Sequence, residues 1–293
     1  MFKFWREAWA FLLIKIYYLH KPKIEGIVSV YFHYPSKELF EKILKWFISH
    51  NYRFVSIAEL DNIISEKVQT TNLAFISFDD GWKSNLELIE VIEKYKVPVT
   101  IFIPTQAVVE GNYWWEYATI KGQERLTGIK GLNGFKKLSE ELFKEKITLL
   151  KQKYTLPRSC ITLEELQELD KINLITIGSH TVTHPILKKC SYETQLFELT
   201  ESKKTLSQWL NRNIEYLAYP NGDYNDHTIK IAREINYKLC FTINPGKIDA
   251  VSINPFIISR NALYEGGGYF ENISKILGIW QTFFNFFNIK QSS

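Results

Sequence analysis

The run Leu73-Ala74-Phe75-Ile76-Ser77-Phe78 ends abruptly in Asp79-Asp80-Gly81, and that junction constrains the fold more than any other stretch. An apolar run that alternates poorly reads as a strand buried on both faces. Gly81 permits a sharp turn, which places the two acids at the strand's C-terminal mouth. Roughly a hundred residues on, a second buried-type strand, Leu174-Ile175-Thr176-Ile177-Gly178, leads into Ser179-His180-Thr181-Val182-Thr183-His184-Pro185. The two histidines are four apart, so on one helical turn they would share a face. One carboxylate and two imidazoles make a three-ligand set that leaves a metal's fourth position open to water. The second carboxylate is then free to take that water's proton. In outline this is a metal-dependent hydrolase site.

The rest of the chain alternates strand and helix patterns. Strands are expected over 24–32, 52–57, 98–103, 214–219, 238–243 and 256–259, in addition to the two above. Helices are expected over 37–49, 85–95, 192–210 and 226–235, from apolar residues recurring at helical spacing. Ser56-x-x-Glu59 and Thr162-x-x-Glu165 read as capping boxes that open further helices. Such alternation is the mark of a mostly parallel sheet, open or closed into a barrel. Residues 105–160 interrupt it with five glycines and then one helix over about 136–154, and read as an insertion on the barrel rim. The fold expected is α/β, a distorted (β/α) barrel of about seven strands with amphipathic helices at both ends. In such barrels catalytic groups lie at the C-terminal ends of strands. The organisation expected is a terminal segment at 1–22, the barrel over 23–265 and a C-terminal segment at 266–293.

Composition excludes some classes. The net charge of +4 comes from dispersed lysines with no long basic run, which argues against nucleic acid as a partner. The three cysteines, Cys160, Cys190 and Cys240, are far apart and odd in number, and read as buried thiols. The first 19 residues are aromatic-rich, but their longest uninterrupted apolar stretch, Ala8 to Ile14, is seven residues. About 20 are needed to span a bilayer. No small-x-small cleavage site follows, so no removable leader is expected. Trp5, Trp9, Leu12, Ile16 and Leu19 share a helical face, and Ile273, Ile276, Leu277, Trp280, Phe283, Phe284 and Phe287 repeat the pattern near the other end. Such stripes are packing faces, or else helices lying in a membrane interface with Lys275 and Lys290 near the headgroups. The second reading predicts a cytoplasmic protein held peripherally on the inner face of the membrane.

Three motifs resemble those of the polysaccharide deacetylases, the NodB-homology carbohydrate esterases. Phe75 to Trp82 resembles the first motif, Ser179 to Pro185 the second, and Leu217-Ala218-Tyr219-Pro220-Asn221-Gly222-Asp223-Tyr224 the third. The similarity covers roughly residues 25–263, and the family's distorted barrel agrees with the pattern above. The resemblance implies that Asp80, His180 and His184 hold a divalent metal, Zn²⁺ by preference for mixed oxygen and nitrogen ligands, and that Asp79 is the general base. It implies an acetylated glycan as substrate, surface-borne or lipid-linked, hydrolysed at its N-acetyl group. Tyr219 to Gly222 would form a groove wall, with the backbone N–H of Asn221 facing the oxyanion.

Two departures from the family pattern matter. Ala218 stands where an arginine that pairs with the base is common, and Arg260 is its expected replacement. No histidine follows His227, so the C-terminal motif that supplies the general acid is missing. Tyr31-Phe32-His33 resembles a pair that fills this role in some members, which makes His33 the expected acid. Trp114 and Trp115, in the rim insertion, are either packing anchors or apolar faces for a pyranose ring. Two rival functions share the fold: a related C–N hydrolase or O-deacetylase, and a catalytically weak glycan-binding or membrane-associated homologue.

Overall fold

The computed structural model describes residues 2–20 and 26–281. Its strands are β1 (Ile27–Phe32), β2 (Arg53–Phe54), β3 (Leu73–Asp79), β4 (Val99–Ile103), β5 (Ile175–Ser179), β6 (Tyr216–Ala218), β7 (Leu239–Phe241), β8 (Lys247–Ile248) and β9 (Asn261–Ala262). They form one sheet in the order β7-β6-β5-β4-β3-β1-β8, with β2 beside β3 and β9 beside β1. All pairings are parallel except β1 with β8. The sheet curls until its ends meet through one segment. Ile258 donates to Cys240 and accepts from Thr242 on the β7 side, while Leu263 N–H donates to Tyr31 in β1. The result is a distorted (β/α) barrel.

Every residue of β1, β3 and β4 is buried, which is why their sequences fail to alternate visibly. An alternation exists within them nonetheless. Val28, Val30 and Phe32, with Ala74, Ile76 and Phe78, join the large outer core shared with the helices. Ile27, Leu73, Phe75, Phe102, Tyr216, Phe241 and Ile258 form a separate inner cluster. The inner face also carries buried Ser29, Ser77, Asp79 and Thr100. Small and polar residues inside the barrel leave room there for a large polar side chain, which proves to be Arg260.

Helices form where the amphipathic pattern and caps coincide. Lys37–Ser49 buries Leu39, Phe40, Ile43, Leu44 and Phe47 and starts at Ser36, whose hydroxyl accepts from Leu39 N–H. Thr162 and Glu165 make a reciprocal capping box for Leu163–Asp170, whereas Ser56 caps Ile57–Ser65 through its own hydroxyl. That cap shortens the expected strand 52–57 to β2. The last strand also falls elsewhere than expected. Of residues 256–259, only Ile258 forms a bridge, and the ladder with β1 is made by Asn261–Ala262. Strand β8 is two residues long and too short to leave a pattern.

The rim insertion is more ordered than its glycines suggest. Short helices span Thr105–Glu110, Trp114–Ala118, Glu124–Thr127 and Gly131–Phe135, ahead of the long helix Glu140–Lys153. Trp114, Tyr117, Phe135, Ile147 and Leu150 give it a small core of its own.

The helices at the two ends pack together. Phe2–His20 lies against Gly268–Ile276. Ile273, Ile276, Leu277 and Trp280 are buried, and Lys275 is buried against Glu271 at 3.0 Å. This stretch is therefore core rather than a membrane-facing stripe. The remaining residues of that stripe, Phe283, Phe284, Phe287 and Lys290, lie outside the described residues. Among the described residues no helix is long and apolar enough to cross a membrane.

Candidate active site

The strand-end acids and the distant histidines meet at the C-terminal mouth of β3 and β5. Asp80 Oδ1 is 3.6 Å from His180 Nε2 and 3.5 Å from His184 Nε2. All three side chains are buried, and their ligand atoms lie within 4.8 Å of one another. Asp80 and Gly81 turn the chain with φ of 75° and 69°. The positive φ favours glycine at position 81, and a Cβ there would sit 2.5 Å from Ile103 Cδ1 and force that side chain to shift.

The histidines do not share a helix. They occupy a loop after β5 in which Thr181 and His184 adopt φ of 68° and 56°. Glu198, buried on the helix Tyr192–Leu210, ties this loop down. Its carboxylate accepts from Val182 N–H (2.8 Å), Thr183 N–H (2.9 Å) and the Thr183 hydroxyl (2.6 Å). Left-handed backbone costs free energy in residues other than glycine, so the loop needs such external bonds. Glu198 was not visible as a site residue in the sequence, where it resembles any helical glutamate.

The donor set fits a divalent ion. His180 Nδ1 is 2.7 Å from the Ala218 carbonyl, an acceptor, so Nδ1 carries a proton and Nε2 is the nitrogen turned towards Asp80. Asp80 Oδ1 is buried without a hydrogen-bond partner. Asp80 Oδ2 accepts from Trp82 Nε1 at 3.0 Å, another contact not anticipated from sequence. Burial first, then the neighbouring charge of His180, depress the His184 pKa well below its ordinary value, which leaves the neutral, ligating imidazole. Burial, aided by the charge of Asp79, raises the Asp80 carboxyl against the opposing pull of His33 and His180. A cation held at Oδ1 would oppose that rise, because it favours the charged carboxylate.

Asp79 faces the barrel interior and meets Arg260 in a two-pronged pair, Nη1 to Oδ1 at 2.7 Å and Nη2 to Oδ2 at 2.8 Å. Arg260 is fully buried. It also donates to the Thr242 carbonyl and the Ser77 hydroxyl, both at 3.0 Å, and lies over the Tyr31 ring at 4.4 Å. Burial opposes the Asp79 charge, but Arg260 and then His180 outweigh it and hold the carboxyl below its ordinary pKa. The guanidinium thus reaches the acid from the residue just before β9, while Ala218 supplies only its carbonyl to His180.

The other expected site residues divide. His33 follows β1, is partly exposed at the mouth and places Nε2 3.9 Å from Asp80 Oδ2. Asn221 has φ 54° and ψ 11°. Its Oδ1 accepts from Lys136 Nζ at 2.9 Å, which bridges the rim insertion to this turn. Tyr219 turns its side chain into the core, with the hydroxyl on the Phe256 carbonyl at 3.1 Å, so it offers no aromatic wall to a groove. Trp114 is buried and donates to the His184 carbonyl at 2.9 Å, which makes it a packing anchor rather than a sugar face. Trp115 stacks on Tyr113 at 4.6 Å, lies 4.6 Å from the His184 ring and stays half-buried at the mouth.

Comparison with known proteins adds lineage to this geometry. The family model described as "Polysaccharide deacetylase" matches residues 66–240. A Bacillus subtilis protein named "Putative polysaccharide deacetylase YxkH" is 23% identical over 72% of this chain and 59% of its own, so the chain spans under two thirds of that relative. A Staphylococcus aureus poly-beta-1,6-N-acetyl-D-glucosamine N-deacetylase is 23% identical over 84% of this chain and 76% of its own. The solved structure of the Streptococcus pyogenes deacetylase PplD in complex with acetate shares the fold, with a TM-score of 0.61 and 21% identity over 87% of this chain and 99% of that one.

Proposed function

Because the chain belongs to the polysaccharide deacetylase family, we propose that it hydrolyses the N-acetyl group of acetamido sugars in a polysaccharide, with a divalent metal as cofactor. The observation that carries this reading is the buried Asp80–His180–His184 cluster set beside an Asp79 held ionised by Arg260. A relative named for deacetylation of a poly-N-acetylglucosamine supports the substrate class. The reading extends to a glycan that is still lipid-linked, handled on the cytoplasmic face of a membrane.

An ion held by Asp80, His180 and His184, zinc by its preference for such ligands, would polarise the acetyl carbonyl and lower the pKa of a water there to about 7. The chain's own residues do the rest. Asp79 takes the proton of the attacking water at a carboxylate oxygen, and Arg260 keeps that carboxylate charged and aimed. The Asn221 backbone N–H faces the developing oxyanion, a role that survives the loss of a tyrosine side chain because it uses only the main chain. His33 gives the proton that the departing amine nitrogen needs as the C–N bond breaks. Trp115 presents its half-buried ring to the sugar.

Asp79→Asn tests the assignment. The metal-loaded variant should keep its metal and lose turnover by roughly 10² to 10⁴, the usual effect of removing a general base. Full acetate release by a metal-loaded Asp79→Asn protein would overturn it.

A further inference from the structure

The helix Phe2–His20 is oriented inside out. Arg6 and Glu7, near its start, face the protein. Arg6 pairs with the buried Glu271 at 2.6 Å, and Glu7 accepts from Phe270 N–H (3.0 Å) and Glu271 N–H (2.8 Å), capping the helix Gly268–Ile276. Ala10 and Ile14 fill the contact between them. Its large apolar side chains point the other way. Trp5 is 59% and Leu19 80% exposed, and Phe4 and Leu12 are exposed along the same strip. Water-soluble helices place these groups in the reverse order. Solvated alone, such a strip is costly, so it calls for an apolar occupant.

We infer that this strip docks the protein on a phospholipid bilayer, with Phe4, Trp5, Leu12 and Leu19 entering the region between headgroups and acyl chains. Two features select lipid over a second copy of the chain. The strip's composition, with indole and phenyl rings and Lys15 alongside Phe11, is that of an interfacial helix. Its attachment is rigid and polar, so the helix holds its outward face in place instead of rolling it into the core.

The docking also fixes the catalytic mouth. The Arg6–Glu7 end bonds to residues 264–271, and Glu265 accepts from Ser36 N–H beside the end of β1. The far end of the helix stacks Tyr18 on His50, past the end of Lys37–Ser49. The strip thus runs along the barrel wall from the mouth rim to the opposite end. On a bilayer the mouth opens along the membrane plane, with its rim near the lipid. This inference stands whether or not the deacetylase reading does.

Vesicle flotation of the full chain tests it, with 3:1 phosphatidylcholine and phosphatidylglycerol. The wild-type protein should float and should remain largely bound when salt is raised, because apolar side chains dominate the strip. Trp5→Ser with Leu12→Ser should lower vesicle partition at least tenfold. The unfolding temperature should hold, since both side chains are exposed. Wild-type protein that stays with the soluble fraction would overturn the inference. So would a chain that floats only after residues 282–293 are deleted, which would make that segment the occupant. An unchanged partition of the double variant, or a size measurement showing a dimer that the double variant dissolves, would also overturn it.

Discussion

Arg260→Met is the most revealing single change to this protein. It replaces the guanidinium by an apolar side chain of similar length and leaves Asp79 buried with both oxygens stripped of their partner. Breaking a buried pair from one side usually costs about 3–5 kcal/mol. The protein can escape by protonating Asp79. At pH 7 that costs about 4 kcal/mol for a carboxyl whose ordinary pKa is about 3.9, so the loss should settle near that value. The pH dependence follows from the shift. In the wild-type protein the Asp79 pKa is held down, so its stabilising share is present above the unfolded pKa and is lost as pH falls through the lower folded pKa. In the variant the folded pKa rises above the unfolded one, and the protonated form is tolerated better as pH falls. The stability gap between the two proteins should therefore shrink by about 1.4 kcal/mol for each pH unit between 7 and 5. Urea unfolding of wild type, Arg260→Met, Asp79→Asn and the double variant measures this. The double variant should recover most of the loss, because no buried charge is left behind. A gap under about 1 kcal/mol at pH 7, a gap unchanged at pH 5, or strict additivity in the double variant would refute the reasoning.

Other outcomes follow from the same geometry. Replacing His180 and His184 together by Ala should lower metal content sharply, and stoichiometric zinc by elemental analysis of the purified variant would remove them as ligands. Glu198→Gln keeps the shape but weakens the charged bonds to the histidine loop. It should cut metal affinity by about 10- to 100-fold, the usual reach of residues that orient ligands, as read by chelator competition. Trp114→Ala should destabilise by about 3–5 kcal/mol as a core deletion. Trp115→Ala should destabilise less and should instead raise KM on an oligosaccharide. His33→Ala should erase the alkaline limb of the pH–rate profile, because that limb reports loss of the acid's proton.

Much of this site was legible because titratable residues interrupt buried runs at the ends of β3 and β5, where few structural reasons put them. The geometry between His180 and His184 was not. Their spacing suggests a helix, and the structure instead folds a loop through left-handed Thr181 and His184, held by Glu198 from another element. Arg260 could be singled out as a charge close behind the last strand, but its interior setting depends on an inner face hidden in runs buried on both sides. Trp114 and Trp115 were indistinguishable in sequence because adjacent helical residues point in different directions. Only packing against Phe143 and the His184 carbonyl separates the anchor from its half-buried neighbour. The terminal stripes also looked alike, yet one is core and the other faces outward, because the buried Glu271 and Lys275 fix which helix lies beneath.

The central claim is metal-dependent removal of acetyl groups from amino sugars, and acetate release tests it most directly. Purified protein would be incubated with short β-linked N-acetylglucosamine oligosaccharides and with O-acetylated counterparts. Each would be run as isolated, after chelation, and after chelation with zinc restored. The account predicts acetate from the N-acetylated series alone, lost with chelator and regained with zinc. Equal release before and after complete metal removal, or release only from the O-acetylated series, would contradict it.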